Sequence, residues 1–427
     1  MLLLVMILAL FALVLINVPI AVALAVVTVV TMVATQGVNI LPNVALVMYT
    51  GATKFPLIAI PLFILAGAIM NATGISRRLI AFASAMLGFI RGGLAMVNVG
   101  ASMFFAEISG SAVADVAAIG SILIPAMKKK GYPVEFSTAI TSSAATLAVI
   151  IPPSIPMILY AVMADTSVTQ MFVAGVIPGV LGGFGLMGMA YIFARRYNYP
   201  VEEVFNLCNV WRTFKEAFWA LTLPFIILGG IFSGWVTATE GAGLAVFAAL
   251  FIGLVVYREL DAKQLIKSII EGGEQTAVVM LLVAASALIG VYLTEIRMPQ
   301  ALAQGILALT DSKWVVLAIL NVFFLIIGLF LHSAAAIILV VPIVMPLVLQ
   351  MGIDPIHFGI IVTINLGIGQ QTPPVASVLI AACSIAKADI WEVTKVNVWF
   401  IAVLIAVLLL VTYVPIVALL PVEIFYR

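Results

Sequence analysis

The chain has 427 residues, of which 65% are hydrophobic and only 9% charged, with a formal net charge of +1 and a mean hydropathy of +1.30. A soluble domain carries about 25% charged residues, so the composition excludes a soluble globular protein, and a net charge this small gives no case for nucleic-acid binding. What remains is an all-α polytopic membrane protein whose solvent is a lipid bilayer.

Two cysteines, Cys208 and Cys383, have no spacing partner; they offer neither a disulfide framework nor a metal site and read as small buried filler. The N-terminal run MLLLVMILALFALVLINVP lacks a basic n-region and a small-residue cleavage site, so it reads as a first transmembrane helix. A span needs about 17–25 apolar residues. Residues 2–16 and 19–35 form a helical pair around Asn17-Val18-Pro19. Residues 39–54 are half polar and read as an interfacial segment, and 56–72 span again. Residues 75–91 set Arg77, Arg78 and Arg91 beside apolar positions, the pattern of an amphipathic arm at the membrane surface. A hairpin follows at about 93–127, then a polar knot (Lys128-Lys129-Lys130-Gly131-Tyr132-Pro133), then a broken helix at 134–163. Residues 171–194 span, 197–216 look soluble, and helices are expected at 217–236 and 241–257. A charged link at 258–268 leads to a span at 274–294, a second arm at 294–313, a second hairpin at 314–350, a second broken helix at 356–386 and a last span at 397–420.

One stretch occurs twice. Residues from Ser109 to about 170 align without a gap with those from Leu331 to about 391 at an offset of 221, so that Pro125 falls on Pro346, Gly131 on Gly352, and Pro152-Pro153 on Pro373-Pro374. Each copy places polar residues in the middle of an apolar hairpin and then breaks an apolar helix at a Pro-Pro pair. Alone, a proline pair is a kink and Ser-Gly-Ser is a small-residue packing contact. Repetition of both in register favours a transporter's binding site.

Charge placement supplies the topology. With the arm at 75–91 on the cytoplasmic side and the hairpins returning to the side they leave, fifteen Lys and Arg residues fall inside, among them Arg77, Arg78, Lys128 to Lys130, Arg195 and Arg196. Four fall outside: Lys54, Arg297, Lys313 and Arg427. That is the positive-inside rule, and it puts both termini outside. It also makes the first hairpin open inward and the second outward, which is an inverted repeat with two re-entrant hairpins and two broken helices, a device for alternating access.

Non-helical backbone at membrane depth is tolerated only where it is buried in protein or lines a cavity. Tips and breaks free carbonyl oxygens and hydroxyls, which suit a small hard cation such as sodium, and helix N-termini, which suit a carboxylate. The first tip is Glu107-Ile108-Ser109-Gly110-Ser111-Ala112, with its partner break from Thr146 to Ser154. The second tip is Leu331-His332-Ser333, with its break expected from Asn365 to Thr372. Ionisable residues at depth are candidates by default, each with a plainer rival. Glu107 and Asp115 flank the first tip, as cation partners or as local pairs. His332 reads as a neutral, hydrogen-bonded imidazole or a proton carrier. His357 reads as a loop or capping residue and Glu240 as a surface residue. There is no phosphate-binding loop, no H-E-x-x-H and no Cys/His cluster, which leaves transport driven by an ion gradient. An intramembrane enzyme would need a nucleophile–base pair, for which Ser109 with Glu107 is a poor candidate; a channel is the other rival class.

At these motifs the chain resembles the large membrane subunit of the tripartite ATP-independent periplasmic (TRAP) transporters. The resemblance covers essentially the whole chain and is densest in ADVAAIGSILIPAMKKKGYP, IIPPSIPMILYA, FVAGVIPG, GIDPIHFGI and NLGIGQQTPPV. It implies an ion-transporter-superfamily fold and a sodium-coupled, elevator-type importer of organic acids in a bacterial inner membrane, served by a soluble periplasmic binding protein. It also implies a small four-helix membrane subunit, expected here as a separate chain because this one begins at the first helix of the large subunit. Carried over by the resemblance, one sodium site lies between Ser109, Gly110, Ser111 and the break around Thr146 and Ile151. A second lies between His332, Ser333 and the break from Gly369 to Thr372. Substrate is expected between them, touching Ser111, Ser154, Asn365 or Gln371; sialic acid, a C4-dicarboxylate and other sugar or keto acids all fit. This chain departs from the family at His332, where many members carry an acidic residue, and at Ala376-Ser377, where typical members read glycine.

The expected organisation is scaffold helices over 1–73, a transport-core repeat over 74–170, scaffold over 171–294, a second core repeat over 295–391, and a last scaffold helix over 392–427. The nearest alternative is a stand-alone sodium/carboxylate symporter of the related two-hairpin fold.

Overall fold

The structure, a computed structural model, describes residues 2–16, 18–201 and 205–426, and every regular element among them is helical. The first half comprises α1 (Leu2–Leu15), α2 (Ile20–Gln36), α3 (Leu41–Ala52), α4 (Ala59–Ala72) and the short arm α5 (Ile75–Leu87). A hairpin follows, with α6 (Gly93–Ser109) as one limb and α7 (Ala112–Asp115), a wide π turn and α8 (Ser121–Lys129) as the other. The broken helix is α9 (Val134–Ala145) with α10 (Ile155–Met163), and α11 (Val168–Arg196) closes the half. The second half comprises α12 (Leu207–Phe232), α13 (Ala238–Phe251), α14 (Ala262–Glu295) and the arm α15 (Met298–Leu307). Its hairpin is α16 (Lys313–Phe330) with α17 (Ser333–Gln350), its broken helix α18 (Pro355–Gly369) with α19 (Ser377–Ala386), and α20 (Ile390–Tyr413) and α21 (Ile416–Tyr426) end the chain. Among the described residues, eight helical stretches are long and apolar enough to cross a membrane, which makes this a multi-pass membrane protein.

The repeat extends beyond the motifs that first revealed it. The offset of 221 carries the start of α9 onto the start of α18, and brings those of α6, α10 and α11 within one residue of the starts of α16, α19 and α20. It also carries the start of α3 onto that of α14, so the broken pair α3 and α4 answers to a single 34-residue helix. Pro56 marks the interruption in the first half.

Several boundaries differ from those the composition suggests. The soluble-looking run ends earlier, because Asn206 accepts the Cys208 amide and starts α12 at Leu207. The charged link shrinks to a few residues, because Asp261 and Gln264 form a capping box that starts α14 at Ala262. The last span does not run to 420; α20 ends at Tyr413 before Pro415, which disfavours helical geometry in the residue ahead of it. The second break begins later than expected, since α18 continues through Gly367 and Gly369. Gly369 serves close packing rather than unwinding: a Cβ there would meet the Gly328 backbone at 2.5 Å, whereas one on Gly367 would make only ordinary contacts. Cys383 is buried, but Cys208 is exposed and is not filler.

The helices that follow each broken helix pack tightly onto it. Gly175 and Gly179 of α11 lie against Met157 and Ile151 with no room for a methyl group. On α20, the Val411 carbonyl accepts from His357 Nε2 (2.7 Å) and Thr412 Oγ1 accepts from Asn321 Nδ2 (3.0 Å). His357 is therefore neither a loop nor a capping residue; it is 3% exposed and ties α18 to α20. Glu240 is exposed, as expected, in a capping box with Thr237.

Candidate functional site between the hairpin tips

The first tip turns at Gly110, whose φ of +57° suits glycine, and at Ser111, which is extended. It sits directly on the first break: a Cβ on Gly110 would lie 3.0 Å from the Pro153 carbonyl and 3.3 Å from the Ile155 amide. The break is a short 3₁₀ turn over Thr146–Val149, then Ile150, Ile151, the cis Pro152-Pro153 bond and an extended Ser154. Its polar groups are partly used locally. Thr146 Oγ1 donates to the Ser143 carbonyl (2.6 Å) and Ser154 Oγ to the Val149 carbonyl (2.8 Å). Asp115, one turn beyond the tip, is fully buried.

The second tip is two extended residues, Leu331 and His332, ahead of α17. It is tied to the second break by the Gly328–Gly369 contact and by the Val375 amide, which donates to the Leu329 carbonyl (3.3 Å). The break runs through Gln370, Gln371, Thr372, the cis Pro373-Pro374 bond and Val375 to Ala376, with Thr372 Oγ1 donating to the Ile368 carbonyl (2.9 Å).

The breaks also meet each other. The Ser143 hydroxyl is 2.7 Å from Gln371 Oε1 and 2.8 Å from Asn397 Oδ1; it has one proton and serves one of them at a time. Asn397 Nδ2 donates to the Gln371 carbonyl (3.1 Å), and Gln371 Nε2 reaches Thr146 Oγ1 (3.4 Å). Nearby, Asn365 Nδ2 donates to Asn321 Oδ1 (2.7 Å).

Both tips open onto one cavity of about 650 Å³. Gly110, Ser111, His332 and Ser333 line it, with Gln370 from the second break and the first residues of α10. The opposite wall comes from α2, α4 and α14, including Asn71, Glu271 and Gln275. Of the four expected substrate contacts, only Ser111 lines the cavity. Ser154, Asn365 and Gln371 are fully buried and hydrogen-bonded within the protein; Asn365 lies inside α18, not in the break. Thr146, Ile151, Gly369 and Thr372 lie in or beside the breaks, off the cavity wall. Glu107 and Ser109, the other named candidates here, have side chains outside the described residues.

Asn71, Glu271 and Gln275 were not expected in this role. A signal existed for two of them: Glu271, Gln275, Val278, Val279 and Leu282 repeat at helical spacing along one face of α14. Chemically the cavity offers hydroxyls and amides, the N-termini of α10 and α17 and their positive dipole ends, and among the described lining residues no lysine or arginine.

An all-helical, internally repeated membrane fold with two hairpin tips at one cavity defines a class, the secondary transporters. The solved YdaH transporter of Alcanivorax borkumensis has the same overall fold, with a TM-score of 0.62 over 90% of this chain and 89% of that one at 16% identity. Residues 7–417 match the family described as "Tripartite ATP-independent periplasmic transporter, DctM component", and the chain belongs to that family. Among its relatives, the C4-dicarboxylate TRAP transporter large permease protein DctM of Pseudomonas aeruginosa is 40% identical over 377 residues, 88% of each protein. The isethionate TRAP transporter permease protein DctMQ of Oleidesulfovibrio alaskensis is 44% identical over 87% of this chain, which spans 59% of that relative's length. The sialic acid TRAP transporter permease protein SiaT of Haemophilus influenzae is 37% identical over 85% of this chain and 59% of its own length. These relatives are named as transporter permeases, not enzymes.

Proposed function

We propose that this chain is the large permease of a sodium-coupled importer of a small organic acid in a bacterial inner membrane, with both termini periplasmic. It works with a small four-helix membrane subunit and a soluble periplasmic binding protein that delivers the substrate. The observation that carries the reading is the convergence of two tips, one from each copy of the repeat, on a single cavity. The organic-acid substrate class is supported by relatives named for isethionate, C4-dicarboxylates and sialic acid.

One sodium ion would bind between Ser109, Gly110, Ser111 and the break at Thr146 and Ile151. A second would bind between the His332 main chain, Ser333 and the break from Gly369 to Thr372. Hydroxyl and carbonyl oxygens are the ligands a hard cation takes. Each ion would pin a tip to its break, so that substrate binds only to an ordered site. In this reading the core moves as a unit past the scaffold, the elevator mechanism, on opposed hairpins of an inverted repeat. We assign α11 and α20 to the moving core with the hairpins and broken helices, a reading supported by the buried hydrogen bonds that join His357, Asn321, Gln371 and Ser143 to α20 and by the glycine contacts of α11. That enlarges the core over 74–170 and 295–391. The scaffold is then α1–α4 and α12–α14.

The cavity's scaffold wall favours the inward-facing state. Pro19 to Ala21 are the N-cap and first residues of α2, Asn71 is the last residue but one of α4, and Glu271 follows Lys263 and Lys267 on α14. These lie toward the ends that carry Arg77, Arg78, Lys263 and Lys267, the cytoplasmic side by charge.

The test is uptake of labelled organic acids into proteoliposomes with and without the binding protein. Uptake that needs it supports this reading. Equal uptake without it would make the chain a stand-alone sodium/carboxylate symporter.

A further inference from the structure

The chain has two histidines, and the structure uses them differently. His357 is buried and spent on the Val411 carbonyl. His332 sits at the second tip, on the cavity wall, and its ring is open to the cavity. Among the described residues its imidazole makes no hydrogen bond and no ion pair. An imidazole held at membrane depth with no protein partner is one whose polar atoms answer to something inside the cavity.

We propose that the His332 imidazole is the side chain that meets the anionic oxo group of the transported substrate, donating an N–H to it. This rests on the transporter reading above and names the contact that selects the substrate class. No lysine or arginine lines the cavity among the described residues, and the one lining acid, Glu271, is on the scaffold wall. The other core-side donors are less available: Ser111 already has an interaction partner and belongs to the proposed first sodium site. Gln370 Nε2 is directed at the Leu366 carbonyl (3.4 Å), and Ser333 is 1% exposed. His332 also occupies the N-cap of the 18-residue α17, so a group bound to its ring lies beside the unpaired amides of that helix. A carboxylate and a sulfonate offer the same acceptor chemistry; the experiment separates them.

The experiment reconstitutes the full chain with its small subunit and binding protein, and measures KM for labelled succinate and isethionate, with the sodium half-saturation recorded in parallel. His332→Gln keeps an N–H donor near the position of Nε2 and should hold KM within about threefold. His332→Glu puts an acceptor-only carboxylate there and should raise KM by at least about tenfold, the loss of a hydrogen bond to a charged group. Sodium half-saturation should be unchanged in His332→Gln, because the proposed second ion uses the main chain of this residue and the substitution adds no charge. A rise for one anion alone assigns the contact to carboxylate or to sulfonate. His332→Phe, similar in size and without a donor, replaces the Glu variant if that variant does not fold, with the same tenfold rise expected. Wild-type KM for both anions in His332→Glu or His332→Phe overturns the proposal. Should uptake be confined to another acid such as sialic acid, the same KM comparison is read on that carboxylate; wild-type protein that accumulates no organic acid, sialic acid included, under a sodium gradient overturns the transporter reading, and this proposal with it.

Discussion

The Ser143 hydroxyl of the first broken helix lies 2.7 Å from the Gln371 amide oxygen in the second break, and Asn397 of α20 closes the group. Both broken helices are therefore fixed to each other by buried polar contacts and not by apolar packing alone. Removing one partner leaves the others buried without a bond, at about 1–3 kcal/mol. Ser143→Ala and Asn397→Leu should each lower the thermal unfolding midpoint in detergent. The double variant should cost less than the sum, because the pair shares a network; full additivity would mean the contacts are independent.

Gly369 and Gly328 let α18 and α16 approach backbone to backbone. A methyl group on Gly369 meets main-chain atoms, which cannot rotate away. Gly369→Ala should cost about 1–3 kcal/mol and abolish uptake, since it pushes the second tip off its break. Gly305→Ala, in α15 with open space around it, is the control and should leave melting and uptake near wild type. Equal behaviour of the two variants would show that the close approach has no role.

Arg78 on the first arm forms a two-point pair with Glu259, at 2.7 and 3.0 Å, and lies over the Tyr257 ring. The Arg78 hydrogen bond holds the Glu259 carboxyl below its ordinary range, and the arginine is held above its own by the same bond. A depressed carboxyl contributes stability above its unfolded pKa and loses it as pH falls through the lowered folded value. The arginine stays charged throughout. The Glu259 side chain is 38% exposed, so screening keeps the contribution to about 0.5–1 kcal/mol. Glu259→Gln should reduce the acid-side fall in melting temperature below pH 5 or so. An unchanged acid limb would remove this pair from the account.

In the proposed scheme Ser111 and Thr372 serve different sodium ions. Ser111→Ala and Thr372→Ala should each raise the sodium half-saturation of uptake by about tenfold, the loss of one oxygen ligand, while leaving the unfolding midpoint in sodium-free buffer near wild type. A normal sodium response in both would move the sites elsewhere.

Much of this was readable from the residues. The hairpins, the breaks and the pairing of the halves were marked by prolines and glycines, whose backbone constraints are local and survive without tertiary context. The helix starts at Leu207 and Ala262 are not legible there, because polar residues at these points are caps and first turns, and composition does not separate a cap from a loop. Three of the four expected substrate contacts lie off the cavity for a different reason. Ser154, Asn365 and Gln371 are polar at depth, but whether such a group faces a cavity or a neighbouring carbonyl is decided by helix rotation, which apolar-all-round helices do not encode. His332 is legible in the sequence as an ionisable tip residue, a sodium-site candidate and a departure from the family; that it lines the cavity is legible only in the structure.

The central claim is coupling to sodium, and it is tested most directly by counterflow-free uptake. The chain, its small subunit and its binding protein are reconstituted with a labelled organic acid, with sodium either imposed as an inward gradient or equal on both sides. The account predicts accumulation above the external concentration under the gradient and only equilibration without it. Accumulation that persists with sodium equal on both sides would contradict it.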